Sequence, residues 1–280
     1  MSLVKRFSAG CVFVVAAATP CISSAVFIER EVGGTSDPNS ILATVNLFRA
    51  DVGAPDNLNA AGPLFGGRRE INWDGGNPAN VATTQNGTPF GAFLNRGALI
   101  TTPGSGVVQA PPSGLATVFS NATYTTTFST FSPSRLFTPV DSNTIDITFL
   151  LPSGTANVSS GIPATVSGFG AVFSDVDLVN SASMTFFDAN GNVIFNDSSI
   201  TPGTGAASLS FAGAFDPAAG IARVRIVSGT AAPGPNDAGS VDIVVLDDFI
   251  FAEPRRIPEP APLATLLLAL VPLLSRRRKA

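Results

Sequence analysis

Histidine is absent from this chain, and its two cysteines, Cys11 and Cys21, both lie near the start. Without them the rest of the chain cannot build His/Cys zinc sites, Ser–His or Cys–His nucleophile pairs, or haem ligation. Lysine occurs only at Lys5 and Lys279. Between residues 26 and 260 every cation is an arginine, ten against twenty carboxylates, a balance near −10. An acidic body without lysine has no clustered cations to neutralise phosphates, which argues against a nucleic-acid partner. There is one tryptophan, Trp73, and one tyrosine, Tyr124. Acid–base chemistry is left to carboxylates, that tyrosine and hydroxyls, so for an enzyme the main option left is a two-carboxylate glycosidase or lyase.

The start, "MSLVKRFSAGCVFVVAAATPCISSA", places Lys5 and Arg6 before an apolar stretch and ends in small residues. This is the pattern of a secretory signal over 1–25, cleaved after Ala25. A lipoprotein reading through Cys21 is the alternative, and Ala18-Thr19-Pro20 matches a lipobox poorly. Cleavage would remove both cysteines, giving an exported domain that relies on its core rather than on disulfides. The roughly 230 residues that follow are ample for one such core.

They are rich in Gly, Pro, Ser, Thr, Asn, Val and Phe, and helical periodicity is nearly absent. Short apolar or alternating runs separated by turn residues predict an all-β domain, a single β-sandwich over 26–253. Strands are expected at 146–150, 166–177, 183–188, 192–196, 208–213, 221–229 and 241–253. "FFDANGNVIF" reads as a hairpin, with Gly191 in the loop; "DANGN" begins like a calcium-binding EF-hand loop but lacks its terminal glutamate. The stretch 32–112 is loop-rich, with one expected helix near Ser40 to Asp51, capped at Asn39 or Ser40.

Candidate sites are sparse. Asp247 and Asp248 interrupt the last apolar run, and a carboxylate buried there needs a partner. Arg223 and Arg225 on "IARVRIV" are the expected partners. A calcium site is the sharper alternative, drawing on Asp175, Asp177, Asp237, Asp242 and Asp248, since hard cations take carboxylate oxygens. "GGRREINWDGG" offers Trp73 with Arg69 and Asp74 as a glycan platform, an aromatic face beside hydroxyl-binding groups. The plainer reading has Trp73 in the core and Arg69 paired with a carboxylate. Glu70 and Asp74 are the formal glycosidase pair, and Arg96 is a further ion-pair candidate. Ice binding would need a flat threonine face; "TYTTTFST" is the local candidate, and its threonines do not alternate.

The end, "IPEPAPLATLLLALVPLLSRRRKA", has proline punctuation, an uncharged run over 261–274, then Arg276, Arg277, Arg278 and Lys279. Fourteen residues make a helix of roughly 21 Å, short of a bilayer core of about 30 Å. The cationic end would stay cytoplasmic and leave the main domain outside the inner membrane. Pro258, Glu259 and Pro260, the apolar run and the arginine cluster together resemble the PEP-CTERM sorting signal of Gram-negative bacteria. That resemblance covers about the last 24 residues of a tail spanning 254–280. It implies an exosortase-type membrane protease as partner, transient anchoring by a transmembrane helix, and delivery to the cell surface or exopolysaccharide matrix. The motif residues would be substrate, not catalyst. Segments 67–75, 169–177, 184–194, 220–229 and 242–254 resemble a jelly-roll of lectin or carbohydrate-binding type seen in exported PEP-CTERM proteins. The expectation is an exported surface or matrix protein, with glycan as its candidate ligand, rather than an enzyme; a carboxylate-based glycan hydrolase or lyase at the envelope is the alternative.

Overall fold

The computed structural model describes residues 26–75, 82–235 and 241–257. The expected signal with Ala25, the residues Pro258, Glu259, Pro260, Arg276, Arg277 and Arg278, the helix over 261–274, and Asp237 all lie outside them. In chain order the strands are β1 (Ile28–Gly33), β2 (Arg68–Ile71), β3 (Thr83–Asn86), β4 (Ala98–Thr101), β5 (Gly106–Ala110), β6 (Leu136–Val140), β7 (Thr144–Phe149), β8 (Ala164–Thr165), β9 (Gly168–Ser174), β10 (Ser183–Phe187), β11 (Val193–Asp197), β12 (Leu209–Phe215), β13 (Arg223–Val227), β14 (Val245–Ala252) and β15 (Arg255–Arg256). The helices are α1 (Asn39–Val52), α2 (Pro112–Val118) and α3 (Tyr124–Thr127). The protein is thus mostly antiparallel β, as the turn-punctuated pattern requires. All seven expected strands are present.

The larger sheet runs β1-β12-β9-β14-β6-β5-β3, with β2 also pairing β14. The smaller runs β11-β10-β13-β7-β4, and β15 pairs β8 separately. In the smaller sheet only one face is buried: Ile145, Ile147 and Phe149 on β7, Val224 and Ile226 on β13, Met184 and Phe186 on β10 point inward. Period-two alternation produces that face directly. It meets the larger sheet through aromatic pairs, Phe149 with Phe251 at 5.3 Å and Phe186 with Phe169 at 6.3 Å.

Strands β9, β12 and β14 are buried on both faces. Their second face is covered by α1 through Ile41, Val45, Phe48 and Val52, apolar positions spaced as one helical stripe. Gly170 and Gly213 face each other across β9 and β12, and a Cβ on either would come within 2.9 Å of the Phe48 ring. The two glycines therefore let the helix lie close to the sheet. Asp37, not Asn39 or Ser40, accepts the Asn39 amide at 2.9 Å where α1 begins.

The stretch 32–112 holds more structure than its composition suggests: α1, β2, β3, β4 and β5 fall within it. The strands there span only four or five residues, too short for alternation to stand out. "TYTTTFST" forms α3 rather than a flat threonine face, and Tyr124 packs with Phe119 and Phe128 in a second cluster against β5 and β6.

Candidate functional site

Trp73 is completely buried. Its ring stacks on Phe137 at 3.9 Å and 12°, meets Phe93 and Phe249 edge-on, and donates Nε1 to the Asp247 carbonyl at 2.7 Å. No ring face is left for a sugar, so the expected glycan platform does not form. Arg69 is also 0% exposed and meets Glu253 at 2.6 Å, an ion pair between β2 and the end of β14. Asp74 accepts the backbone amides of Ser134 and Arg135 at 2.7 and 2.9 Å, holding the turn before β6. Asp74 also does not pair with Glu70, which is bound elsewhere.

Arg223 and Arg225 do not serve Asp247 or Asp248. Arg225 lies opposite Asp146 on β7 and meets it at 2.8 Å; Arg223 bonds the same carboxylate and covers the Phe187 ring at 3.7 Å. The inference of a cross-strand Arg–Asp pair was right in kind and wrong in partner, because β13 and β14 lie in different sheets.

Asp247 and Asp248 do not face opposite ways as regular strand residues would. Along β14 the register steps three residues, from Leu246 to Phe249, while β9 steps two, from Phe173 to Ala171. That is a β-bulge, and such an extra residue re-aims side chains. Both carboxylates reach the Ser132 hydroxyl, Asp248 at 2.6 Å and Asp247 at 3.3 Å, and Asp247 also accepts the Phe131 amide at 2.6 Å. Burial, then the Asp248 charge, pushes the Asp247 carboxyl far up; burial likewise raises Asp248 against the Ser132 and Asp247 hydrogen bonds. Two adjacent buried carboxyls of this kind titrate as a pair.

Above them opens a cleft of about 290 Å³ lined by Arg49, Asp56, Leu58, Glu70, Asn72, Arg96, Ser132 and Asp248. Arg49, in the last turn of α1, uses one Nη2 for Glu70 at 2.7 Å and Asp248 at 3.7 Å. Glu70 is gripped from the other side by Arg68 at 2.5 Å. Burial pushes the Glu70 carboxyl up, but the Arg49 and Arg68 hydrogen bonds outweigh it and hold it below the usual range. Arg96 bonds Asn59 at 2.8 Å and the Glu70 carbonyl, and burial lowers its guanidinium. Fixed donors and acceptors thus alternate around an open space. Among the cleft residues, sequence reasoning pointed to Glu70, Arg96 and Asp248 separately and missed Arg49, Asn72 and Ser132, which come from elements far apart in the chain.

A second cavity, of about 370 Å³, is lined by Asp175, Asp177 and Asp242 with Thr123, Thr126 and Thr127. Three of the five expected calcium ligands therefore gather, while Asp248 lies in the other cleft. Asp242 accepts the amides of Asp177 and Leu178 at 3.2 and 3.0 Å, and Asp175 accepts that of Ala207 at 3.1 Å. Among the described residues no group of three or more such side chains is arranged to hold a metal ion. The carboxylates do repel one another: burial, then the charges of Asp177 and Asp242, pushes Asp175 up to about 7. The folded state then holds a proton that the unfolded chain, with a carboxyl near 4, releases. Stability should fall as pH rises from about 4 to about 7 and level off above. Urea midpoints at pH 5 and 8 are expected to lie closer together in Asp175→Asn than in the wild type; an equal gap would mean that Asp175 ionises normally. "DANGN" is a turn as expected: Asp188 accepts the amides of Asn190 and Asn192, both at 2.8 Å, with Gly191 at φ 84°.

Comparison with protein-family models gives no match, and comparison with curated proteins gives none either.

Proposed function

We propose that the protein is an exported, non-enzymatic component of the cell surface or exopolysaccharide matrix. A PEP-CTERM-type tail carries it there, and it binds glycan in the Arg49–Glu70–Asp248 cleft. We read its two sheets as a jelly-roll of lectin type. The observation that carries this reading is the exit of the chain. Arg255 and Arg256 on β15 are exposed, and in the sequence Pro258-Glu259-Pro260 follows within two residues. A prolyl-stiffened peptide just outside a folded domain is easily presented to a membrane protease. The cleft supports the glycan half: planar guanidinium forks and carboxylates held by each other are preorganised donors and acceptors for sugar hydroxyls.

A hydrolase or lyase is the second reading, and one geometric fact favours it. Glu70 and Asp248 meet the same Arg49 nitrogen at 2.7 and 3.7 Å, so two of their oxygens lie at most the sum of those distances, about 6.4 Å, apart, a bound that admits the about 5–5.5 Å of a retaining glycosidase pair. The binding reading is preferred because Asp248 is only 3% exposed and Glu70 is committed to two arginines.

Intact mass of the mature protein from its native host tests the sorting half. The wild type is expected to lack the residues beyond the Pro-Glu-Pro region, and a Pro258→Ala/Pro260→Ala variant to keep them and stay in the membrane fraction. A wild-type mass that retains Arg276 to Ala280 would remove the matrix assignment. For the glycan half, Arg49→Ala should weaken retention on the host's exopolysaccharide at least tenfold with the fold intact. Release of new reducing ends by wild type but not by Glu70→Gln would decide for the hydrolase instead.

A further inference from the structure

The surface beside the chain's exit carries a feature that neither the core nor the cleft uses. The loop between α1 and β2 presents Leu64 and Phe65 to solvent, at 37% and full exposure. An apolar loop tip of this kind usually folds inward or stays loose. Here it is held outward. Glu253 accepts the Leu64 amide at 3.0 Å and the Asn57 side chain at 2.9 Å. Arg69, itself clamped by Glu253, donates Nη1 to the carbonyls of Leu58 and Ala60 at 2.8 and 2.7 Å. The Gly62 amide bonds the Pro152 carbonyl at 2.9 Å. A buried ion pair and its hydrogen bonds thus hold the loop at several points and leave Phe65 pointing away from the body.

The strand that supplies Glu253 then carries the chain out through Pro254, Arg255 and Arg256. Arg255 lines a shallow groove together with Pro63, Leu64 and Phe65. Arg255 at the groove and its exposed neighbour in sequence, Arg256, stand out on a body that is otherwise strongly acidic. Distance along the chain adds a constraint. Arg256 is five residues before Ala261, where the uncharged run begins, and a fully extended chain covers at most about 3.5 Å per residue. If that run sits in a bilayer, Arg256 cannot be more than about 18 Å from its surface.

The geometry points to a membrane-docking face: Leu64 and Phe65 enter the interfacial layer of the inner membrane while Arg255 and Arg256 lie on its phosphate headgroups. This rests on the reading of residues 261–274 as a membrane hold. Aromatic side chains favour the interface, and a guanidinium pairs with lipid phosphate through charge-assisted, often bidentate hydrogen bonds on either face of the bilayer. Docking would keep the domain against the bilayer with the Pro-Glu-Pro segment between them. The orientation of the cleavage region is then set by the body of the protein and not by a free linker.

The test uses the full-length chain with its tail uncut, reconstituted in phosphatidylcholine–phosphatidylglycerol vesicles. Phe65→Trp adds an indole at a fully exposed position, and the buried Trp73 supplies a constant background. Lipid brominated near the headgroup should quench the added emission at least twofold, and Arg255→Ser/Arg256→Ser should weaken that quenching. If the protein floats with the vesicles but the added emission stays red and unquenched, the loop faces water and the docking face is refuted while the anchor stands. Blue-shifted emission without lipid quenching would also refute it, showing that the loop holds the protein's own tail or a second copy. A chain that does not float with vesicles at all would remove the anchor reading and this inference with it.

Discussion

Arg69→Ala is expected to destabilise the protein by about 3–5 kcal/mol, because it strands a buried charge. Glu253 is 2% exposed and accepts Arg69 Nε and Nη2, the Leu64 amide and the Asn57 side chain. Removing the guanidinium leaves that carboxylate without its counter-charge and frees the carbonyls of Leu58 and Ala60. For a domain of this size the loss corresponds to a fall in melting temperature of roughly 10 °C. Thermal unfolding followed by circular dichroism measures it. The Arg69→Met/Glu253→Leu double variant should recover part of the loss, since no charge is then left in the core. Recovery should be incomplete, because the loop's own backbone groups still lack partners. A single variant within about 1 kcal/mol of wild type would show that water reaches Glu253 and that the pair does not hold the loop.

Trp73→Ala is expected to cost a similar amount, about 3–5 kcal/mol, for a different reason. The indole is enclosed by Phe93, Phe137 and Phe249, and its removal opens a cavity against β6 and β14. It also removes the donor to the Asp247 carbonyl at the bulge. Trp73→Phe separates the two effects. It keeps most of the stacking and leaves one buried acceptor unmet, a loss of about 1–3 kcal/mol. Urea unfolding with a common slope gives the comparison. A Trp73→Ala variant of wild-type stability that loses polysaccharide binding would restore the aromatic-platform reading that burial argues against.

Much of the smaller sheet was legible in the chain. β7, β10 and β13 alternate because one face meets the core and the other meets water, and that contrast is written residue by residue. β9, β12 and β14 read as continuous apolar runs because α1 covers their second face. The candidate sites were harder. Asp247 and Asp248 were visible as carboxylates in an apolar strand, but strand geometry assigns neighbours to opposite faces, and only the bulge sends both to Ser132. The Glu253 that holds Arg69 lies 184 residues away in sequence, a separation at which local pattern carries no information.

The sequence by itself determined what chemistry is missing and the predominance of β-strands. Composition and alternation depend only on which residues are present and on their near neighbours. Tertiary structure alone decided that Trp73 is core, that Arg49 joins Glu70 to Asp248, that three aspartates share one cavity, and that Phe65 is held out beside Arg255. Each of those depends on which distant segments touch, and contact is set by the packing of two sheets and a helix around one core rather than by any local run of residues.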